Sequence, residues 1–195
     1  MAKAAKKTDR VSRLPPLPDP LPEEVQELFA ERLKRTGRIL NIHHTFGHAP
    51  ILSRASMQMA MGLRYDTAVP RVLIELAIVR AGFNAKGLYE LQQHKPMLLA
   101  EGYSEKKYNA VARWRTSKAF DEKERAILAY ADQVCKQGNV SDKVFAQLEK
   151  HFNARQIMEL TFAIGSYYGI ALIMNALKIR LEKKQKSSPN NGASS

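Results

Sequence analysis

The sequence predicts a single all-α domain, and three observations support this prediction. Apolar residues recur at helical spacing, helix-capping residues precede several of these segments, and no segment shows the signal of a β-strand. The chain has 195 residues, 45% of them hydrophobic and 26% charged, which suits one domain with a full core and is short for two. We expect six to eight helices around a central helical hairpin.

The N-terminal part of the chain is a proline-rich segment followed by helices. Residues 1–20 are basic and rich in proline, which favours extended backbone, and the domain is predicted to span residues 21–181. Glu23 to about Thr36 is an amphipathic helix that ends near Gly37. Residues 38–47 are ambiguous, with one short helical turn as an option. Pro50 to Gly62 forms the next helix.

The central hairpin is predicted between Pro70 and Glu101. Pro70 suits a first helical turn because its missing N–H has no partner there. The apolar pattern then runs to about Ala81, residues 82–85 indicate a turn, and a second helix starts near Lys86. Residues equally far from the turn come level with each other in a hairpin.

Capping residues mark the helices that follow the hairpin. Ser104 caps a short helix, and Asp121 with Glu124 forms a capping box before a helix to about Gln137. Ser141 is expected to cap a helix to about Phe152, and Asn153 with Gln156 to cap the last one. Residues 182–195 are rich in Lys, Ser and Asn and are predicted to be a disordered tail.

The last helix, from Ile157 to Leu177, is apolar on nearly every side. Its length and its Gly165-to-Gly169 spacing are also typical of a membrane span, but four polar residues interrupt it, namely Glu159, Thr161, Ser166 and Asn175. We therefore favour a core helix that is partly shared with a second subunit, and we expect no membrane association.

The net charge of +12 raises the question of nucleic-acid binding. Most of the excess positive charge falls in two terminal segments, residues 1–13 and 178–186, and no basic stripe with interleaved aromatic residues is present. Solvated basic tails explain this distribution, so no specific nucleic-acid partner is expected. The low cysteine content and the absence of a secretory signal indicate the cytoplasm.

Glu75, Glu90 and His94 are the candidate catalytic residues. Glu75 and His94 are equally far from a turn centred near residue 84.5, and Glu90 and His94 are four residues apart on one helix face. A carboxylate within the apolar run around Glu75 must be partnered or protonated. Three converging titratable groups suit proton transfer, although a purely structural tie between the two helices is the alternative interpretation.

The same hairpin resembles the carboxymuconolactone decarboxylase/alkylhydroperoxidase AhpD-like superfamily. The resemblance covers about residues 20–181. It rests on His48-Ala49-Pro50, Glu75, Tyr89-Glu90, His94, Pro96, Gly102-Tyr103-Ser104, Trp114, 120–126, 130–132, 140–142 and 156–161. It implies an AhpD-like helical fold and a homo-oligomer, a trimer or a hexamer. Gly87 and Glu90 stand at the two redox-cysteine positions of the family pattern, and the lone Cys135 lies far along the chain.

The resemblance to the decarboxylase branch implies an acid/base enzyme without a cofactor. In that branch a lactone carbonyl of the substrate accepts the electrons released with CO₂. His94 would exchange the proton, Glu75 would orient it, and Glu90 would be a second acid or base. The expected substrate is a small carboxylated acid or lactone. Candidate substrate-binding residues are Arg71, Arg80, Lys86, His48, Tyr89 and Trp114.

Two other functions remain open at this stage. One is an AhpD-like hydroperoxidase, which the missing cysteine pair disfavours, and the other is a non-catalytic member of the fold that binds a small molecule. His43, His44 and His48 could be considered as metal ligands, but no carboxylate is adjacent, so we expect no metal.

Overall fold

The computed structural model of the protein describes residues 10–183. Residues 1–9 and 184–195 lie outside the described part, and with them much of the basic N-terminal segment and nearly all of the predicted tail. The described part contains nine α-helices, one 3₁₀ helix and no strands, so the all-α class is confirmed. The helix beyond the six to eight predicted is a short one in residues 38–47, where the sequence had been ambiguous.

The helices follow one another with short connections. Their bounds are α1 Glu23–Thr36, α2 Asn41–Phe46, α3 Pro50–Tyr65, α4 Arg71–Asn84, α5 Leu88–Ala100, α6 Glu105–Ala110, the 3₁₀ helix Val111–Thr116, α7 Glu122–Gln137, α8 Asp142–Glu149 and α9 Ala154–Leu177. The capping bonds predicted at Ser104, at Asp121 with Glu124 and at Asn153 with Gln156 are all formed. Ser141 is at the N-cap of α8, but its hydroxyl donates to Gln133, and α8 ends at Glu149.

Helix α4 is at the centre of the fold. It packs against α5, α7 and α9, and its residues from Leu73 to Gly82 are all buried, including Glu75 and Arg80. This arrangement agrees with its sequence, which is apolar on nearly every side. Because the surroundings of α4 exclude water, its two buried charged side chains must find their partners inside the protein.

The turn of the hairpin lies later than the sequence predicted. Gly82, Phe83 and Asn84 are helical, and the connection consists of residues 85–87. A Cβ atom on Gly82 would lie 3.1 Å from Leu91 Cδ2, so this glycine permits close packing of α4 on α5 instead of forming a turn. At Gly87 a Cβ atom would lie 2.9 Å from the Cβ atom of Ala171 on α9, closer than such atoms approach without a shift.

Helix α9 packs against α4 and α7 on one side and is open on the other. It is the one helix of the described residues that is long and apolar enough to cross a membrane, a property that it shares with core helices of soluble proteins. An exposed apolar stripe runs along it, formed by Met158, Phe162, Leu172 and Ile173. Gly165 and Gly169 lie between these residues, with open space around the positions of their missing side chains.

The chain returns to α2 and α5 after α9 ends. Glu182 Oε1 accepts hydrogen bonds from the backbone N–H of Asn41, at 2.7 Å, and from the hydroxyl of Tyr89. The backbone of Glu182 exchanges two further hydrogen bonds, each of 2.9 Å, with the side chain of Gln92. Residues 181–183 thereby tie the start of α2 to α5.

Candidate functional site

Glu75, His94 and Glu90 form one buried hydrogen-bonded row. His94 Nδ1 lies 2.8 Å from Glu75 Oε2, and His94 Nε2 lies 3.0 Å from Glu90 Oε1. The three residues are 3%, 6% and 4% exposed in that order. The structure therefore brings together the three residues that the sequence singled out, with the imidazole between the two carboxylates.

The two carboxylates keep the imidazole of His94 protonated. Burial by itself lowers the pKa of His94, but the charge of Glu90 and the hydrogen bonds to Glu75 and Glu90 outweigh it and raise this pKa to about 9. At neutral pH His94 is therefore an imidazolium that donates from both ring nitrogens. Such a group holds a proton ready between two acceptors.

The raised pKa of His94 predicts how stability depends on pH. Because the folded-state pKa of about 9 exceeds the unfolded value near 6.5, this stabilisation is complete below about pH 6.5 and is lost as the pH rises through 9. We expect the free energy of unfolding in urea to fall over that range by up to roughly 1.4 kcal/mol per pH unit. His94→Gln should remove this component. His151→Gln is the control, since His151 forms no ion pair in the described residues; an identical pH dependence in both variants would contradict the assignment.

Arg71 and Tyr167 flank this row. Arg71 Nη2 lies 3.3 Å from Glu75 Oε1, and its Nε lies 3.1 Å from Glu101 Oε1. The ring of Tyr167 meets the ring of His94 edge-on, with the centroids 4.9 Å apart. Burial raises the pKa of the Tyr167 hydroxyl, so it stays a neutral phenol at all physiological pH values. Arg71 thus neutralises the carboxylate behind the imidazolium, and Tyr167 fixes the plane of the imidazole ring.

A cavity of about 340 Å³ lies in front of Glu90 and His94. Its walls come from α1, α2 and α3 on one side and from α5 and α9 on the other. Tyr89, Tyr167 and Met97 line it beside Glu90 and His94, whereas Glu75 stays behind the imidazole. The volume is at the lower end of the range for small-molecule sites.

Only Tyr89, of the six predicted substrate-binding residues, lines this cavity. Its hydroxyl is engaged by Glu182 and by the backbone N–H of Ile42, so it offers its ring rather than a free hydroxyl. Arg71 lines a separate, shallow groove on the other side of Met97. The other four predicted residues lie elsewhere, and each has its own surroundings.

Arg80 and Trp114 lie in the core and share one partner, Asp132. Arg80 Nε donates to Asp132 Oδ1 at 2.7 Å, and Trp114 Nε1 donates to Asp132 Oδ2 at 3.2 Å. Lys86 is exposed in the hairpin connection, and exposed His48 contacts the carbonyl of Pro15 at 3.0 Å.

Four arginines that the sequence analysis did not select line the cavity. They are Arg32, Arg35, Arg38 and Arg64. Three of them recur at three-residue intervals, Arg32 and Arg35 at the end of α1 and Arg38 just after it. This spacing is visible in the sequence, but nothing in the sequence places α1 opposite the hairpin. The only carboxylate among the described residues that line the cavity is Glu90.

The lone cysteine lies away from the cavity. Cys135 is buried in α7, and burial raises the pKa of its thiol to about 11. Within residues 10–183, no group of three or more His, Cys, Asp or Glu side chains is placed to hold a metal ion.

The fold and the site together define an all-α hairpin domain whose buried titratable row opens into a ligand-sized cavity. Residues 50–133, which include α3, α4 and α5, match the model of the carboxymuconolactone decarboxylase family. This match covers 84 of the 195 residues, so it likens the central hairpin region of the chain to that family.

Solved structures share this fold at low sequence identity. A peroxidase-related protein from Ralstonia eutropha, described as an alkylhydroperoxidase AhpD core, has 22% identity and a TM-score of 0.75, with 89% of this chain and 93% of that chain covered. A peroxidase-related protein from a Silicibacter species has 18% identity and a TM-score of 0.79, with 91% and 95% covered.

An enzyme of different chemistry is also similar. The debrominase Bmp8, solved with 2,3,4-tribromopyrrole, has 18% identity and a TM-score of 0.72, with 92% of this chain and 94% of that chain covered. These likenesses show the fold and leave the reaction open. Among curated proteins, none matches the chain by sequence.

Proposed function

We propose that the protein is an acid/base enzyme that acts, without a cofactor, on a small carboxylated organic acid or lactone. The observation that carries this proposal is the row of Glu75, His94 and Glu90, whose Glu90 end opens into the cavity. His94 and Glu90 both line that cavity, so a bound molecule would meet a charged proton donor and a carboxylate side by side. The match of residues 50–133 to the carboxymuconolactone decarboxylase family model supports a decarboxylase-like reaction.

The proposed reaction balances with groups that the chain and the substrate supply. The bond between a substrate carbon and its carboxylate breaks, CO₂ leaves, and the electron pair passes to the conjugated lactone carbonyl as an enolate. The enolate carbon then takes a proton that Glu90 relays from His94, and His94 regains its proton from bulk solvent, so that each turnover consumes one solvent proton. Glu75 holds the Nδ1 side of the ring, so that the Nε2 side faces Glu90.

A deuterium assay tests this function. In D₂O, wild-type protein should release CO₂ from carboxylated lactones and place deuterium on the carbon that lost the carboxylate, as NMR spectroscopy detects. Cys135→Ser should behave like the wild type, because Cys135 lies outside the cavity. If neither CO₂ nor deuterium exchange appears with such lactones, the proposed function is wrong.

Hydroperoxidase activity is the second candidate, because structurally similar proteins are described as peroxidase-related. A peroxidase of this type needs a low-pKa thiolate and a nearby resolving thiol, whereas the Cys135 thiol is buried and its pKa is raised. A cysteine at position 87 would also bring its Cβ atom against Ala171. Consumption of peroxide with a dithiol reductant, lost in Cys135→Ser, would restore this candidate.

Assembly and location remain predictions. We propose that the apolar stripe of α9 contacts a second copy in a homo-oligomer, a trimer or a hexamer, because its two glycines allow close approach of another helix. Light scattering on the intact chain tests this directly. A cytoplasmic location is likewise proposed, and a non-catalytic role as a small-molecule-binding protein would follow if the assay in D₂O showed no turnover.

A further inference from the structure

The cavity has a strongly positive wall opposite the catalytic row. Arg32 and Arg64 are half-buried in it, and Arg35 and Arg38 are exposed at its edge. None of these four arginines forms an ion pair with any Asp or Glu among the described residues. Other arginines of the chain do form such pairs, as Arg80 does with Asp132. Within residues 10–183, the positive charge of this wall therefore has no directly paired carboxylate.

The hydrogen-bonding groups of these arginines are also poorly satisfied. Arg32 Nε is fully buried and has no acceptor among the described residues. Arg64 Nη2 donates to the sulfur of Met97 at 3.3 Å, and Arg35 donates to the sulfur of Met61. A thioether is a weak acceptor compared with a carboxylate. Burying an unpartnered guanidinium nitrogen is unfavourable, so a site of this kind gains free energy when an anion enters.

His43 adds a neutral donor to the same wall. The backbone N–H of Leu40 donates to His43 Nδ1 at 2.9 Å, so the proton of the neutral ring must be on Nε2. No described residue accepts from Nε2, and His43 lines the cavity. Burial and the nearby charges of Arg32, Arg35 and Arg38 lower the pKa of His43 to about 3, so the ring stays neutral at physiological pH.

We propose that this wall is an anion subsite, which binds the carboxylate groups of an amphipathic organic anion through Arg32, Arg64 and the Nε2–H of His43. The carbon skeleton of such a ligand would lie along apolar side chains of the cavity, Phe29, Met57 and Ile170, toward Glu90 and His94. This subsite specifies how the substrate of the proposed function would bind. It rests on the proposed function only for the statement that the ligand reacts at the end that lies beside Glu90 and His94. It also orients the ligand, because a single wall attracts the anionic end while Glu90 repels it.

Binding of two matched probes tests this subsite without any turnover. Isophthalate and isophthalamide have the same size and shape but differ by two negative charges. By isothermal titration calorimetry, isophthalate should bind wild-type protein at least tenfold more tightly than isophthalamide. Raising the ionic strength about tenfold should weaken isophthalate binding and leave isophthalamide binding unchanged.

Arginine variants locate the binding. Arg32→Gln and Arg64→Gln should each weaken isophthalate binding about tenfold or more, and Arg64→Lys should fall between, because lysine keeps the charge but loses the planar fork. Arg54→Gln is the matched control, since Arg54 is on α3 outside the cavity and pairs with Glu27 and Glu31. Circular dichroism verifies that each variant is folded.

The result separates the subsite from the proposed reaction. Equal affinity for the two probes, no isophthalate binding at millimolar concentration, or wild-type affinity in folded Arg32→Gln and Arg64→Gln would overturn the subsite. Charge-dependent binding that Arg32→Gln and Arg64→Gln weaken establishes it, even if the deuterium assay detects no decarboxylation. Decarboxylation that persists while both arginine variants bind isophthalate normally would keep the proposed function and reject the subsite.

Discussion

Replacing His94 with glutamine should lower kcat by about 10²–10⁴, the usual effect of removing a positioned acid or base. Glutamine occupies a similar volume but cannot hold the proton that Glu75 and Glu90 share with the imidazole. Glu75→Gln should lower kcat within the same range, because the ring of His94 would lose its charged orienting partner. Since the three residues act as one unit, the double variant should be scarcely slower than either single variant.

Stability measurements distinguish a catalytic row from a structural tie. Removing the charge of Glu75 leaves His94 paired with Glu90, so we expect Glu75→Gln to keep the free energy of unfolding or to raise it. A row that only ties α4 to α5 should instead lose about 3–5 kcal/mol in both single variants. Losses of that size in both, measured by thermal or urea unfolding, would contradict the catalytic role. Glu101→Gln is the kinetic control, because Glu101 pairs with Arg71 outside the cavity.

Replacing Asp132 with alanine should destabilise the protein by about 3–5 kcal/mol, because it leaves the buried guanidinium of Arg80 without its carboxylate. Asp132 also accepts from Trp114 and pairs with Arg115, so one substitution removes the partner of three side chains. Although burial alone would raise the pKa of Asp132, Arg80 and the other donors hold it below its usual value. This stabilisation is therefore present above about pH 4 and is lost as the pH falls further.

Urea unfolding and steady-state kinetics of the same preparations check this expectation. The folded fraction of Asp132→Ala should keep the kcat of the wild type, because Asp132 is outside the cavity. Lys136→Gln is the control, since the exposed Lys136 amine lies 3.9 Å from Asp132 and should contribute no more than about 0.5 kcal/mol. A loss below about 1 kcal/mol in Asp132→Ala would mean that the buried pair does not stabilise the fold.

The elements that the sequence predicted well are those set by local chemistry. Helices α1, α7 and α9 begin and end close to their predicted bounds, because their caps and their apolar periodicity lie within a few residues of one another. Gly82 misled the prediction of the turn. Its role is close contact with Leu91 on the next helix, which is a tertiary property that no local pattern reveals.

The candidate site also combines residues that the local sequence predicts with residues that only tertiary packing brings together. Glu75, Glu90 and His94 could be found because one hairpin supplies all of them, and a shift of the turn by about two residues did not separate their long side chains. Arg80 was a reasonable candidate cation until the structure placed Asp132, fifty-two residues later in the chain, beside it. The arginines of the cavity come from α1, from the connection that follows it and from α3, and the position of these segments against the hairpin is decided by packing over the whole domain.

The tie formed by Glu182 makes the end of the chain a thermodynamic partner of the cavity. Tyr89 and Ile42 line the cavity, and both are hydrogen-bonded within the small network that Glu182 completes. We expect ligand binding to favour the attachment of Glu182, and linkage then requires this attachment to favour ligand binding by the same factor. Glu182→Ala should therefore weaken the binding of a molecule in the cavity, as isothermal titration calorimetry would detect.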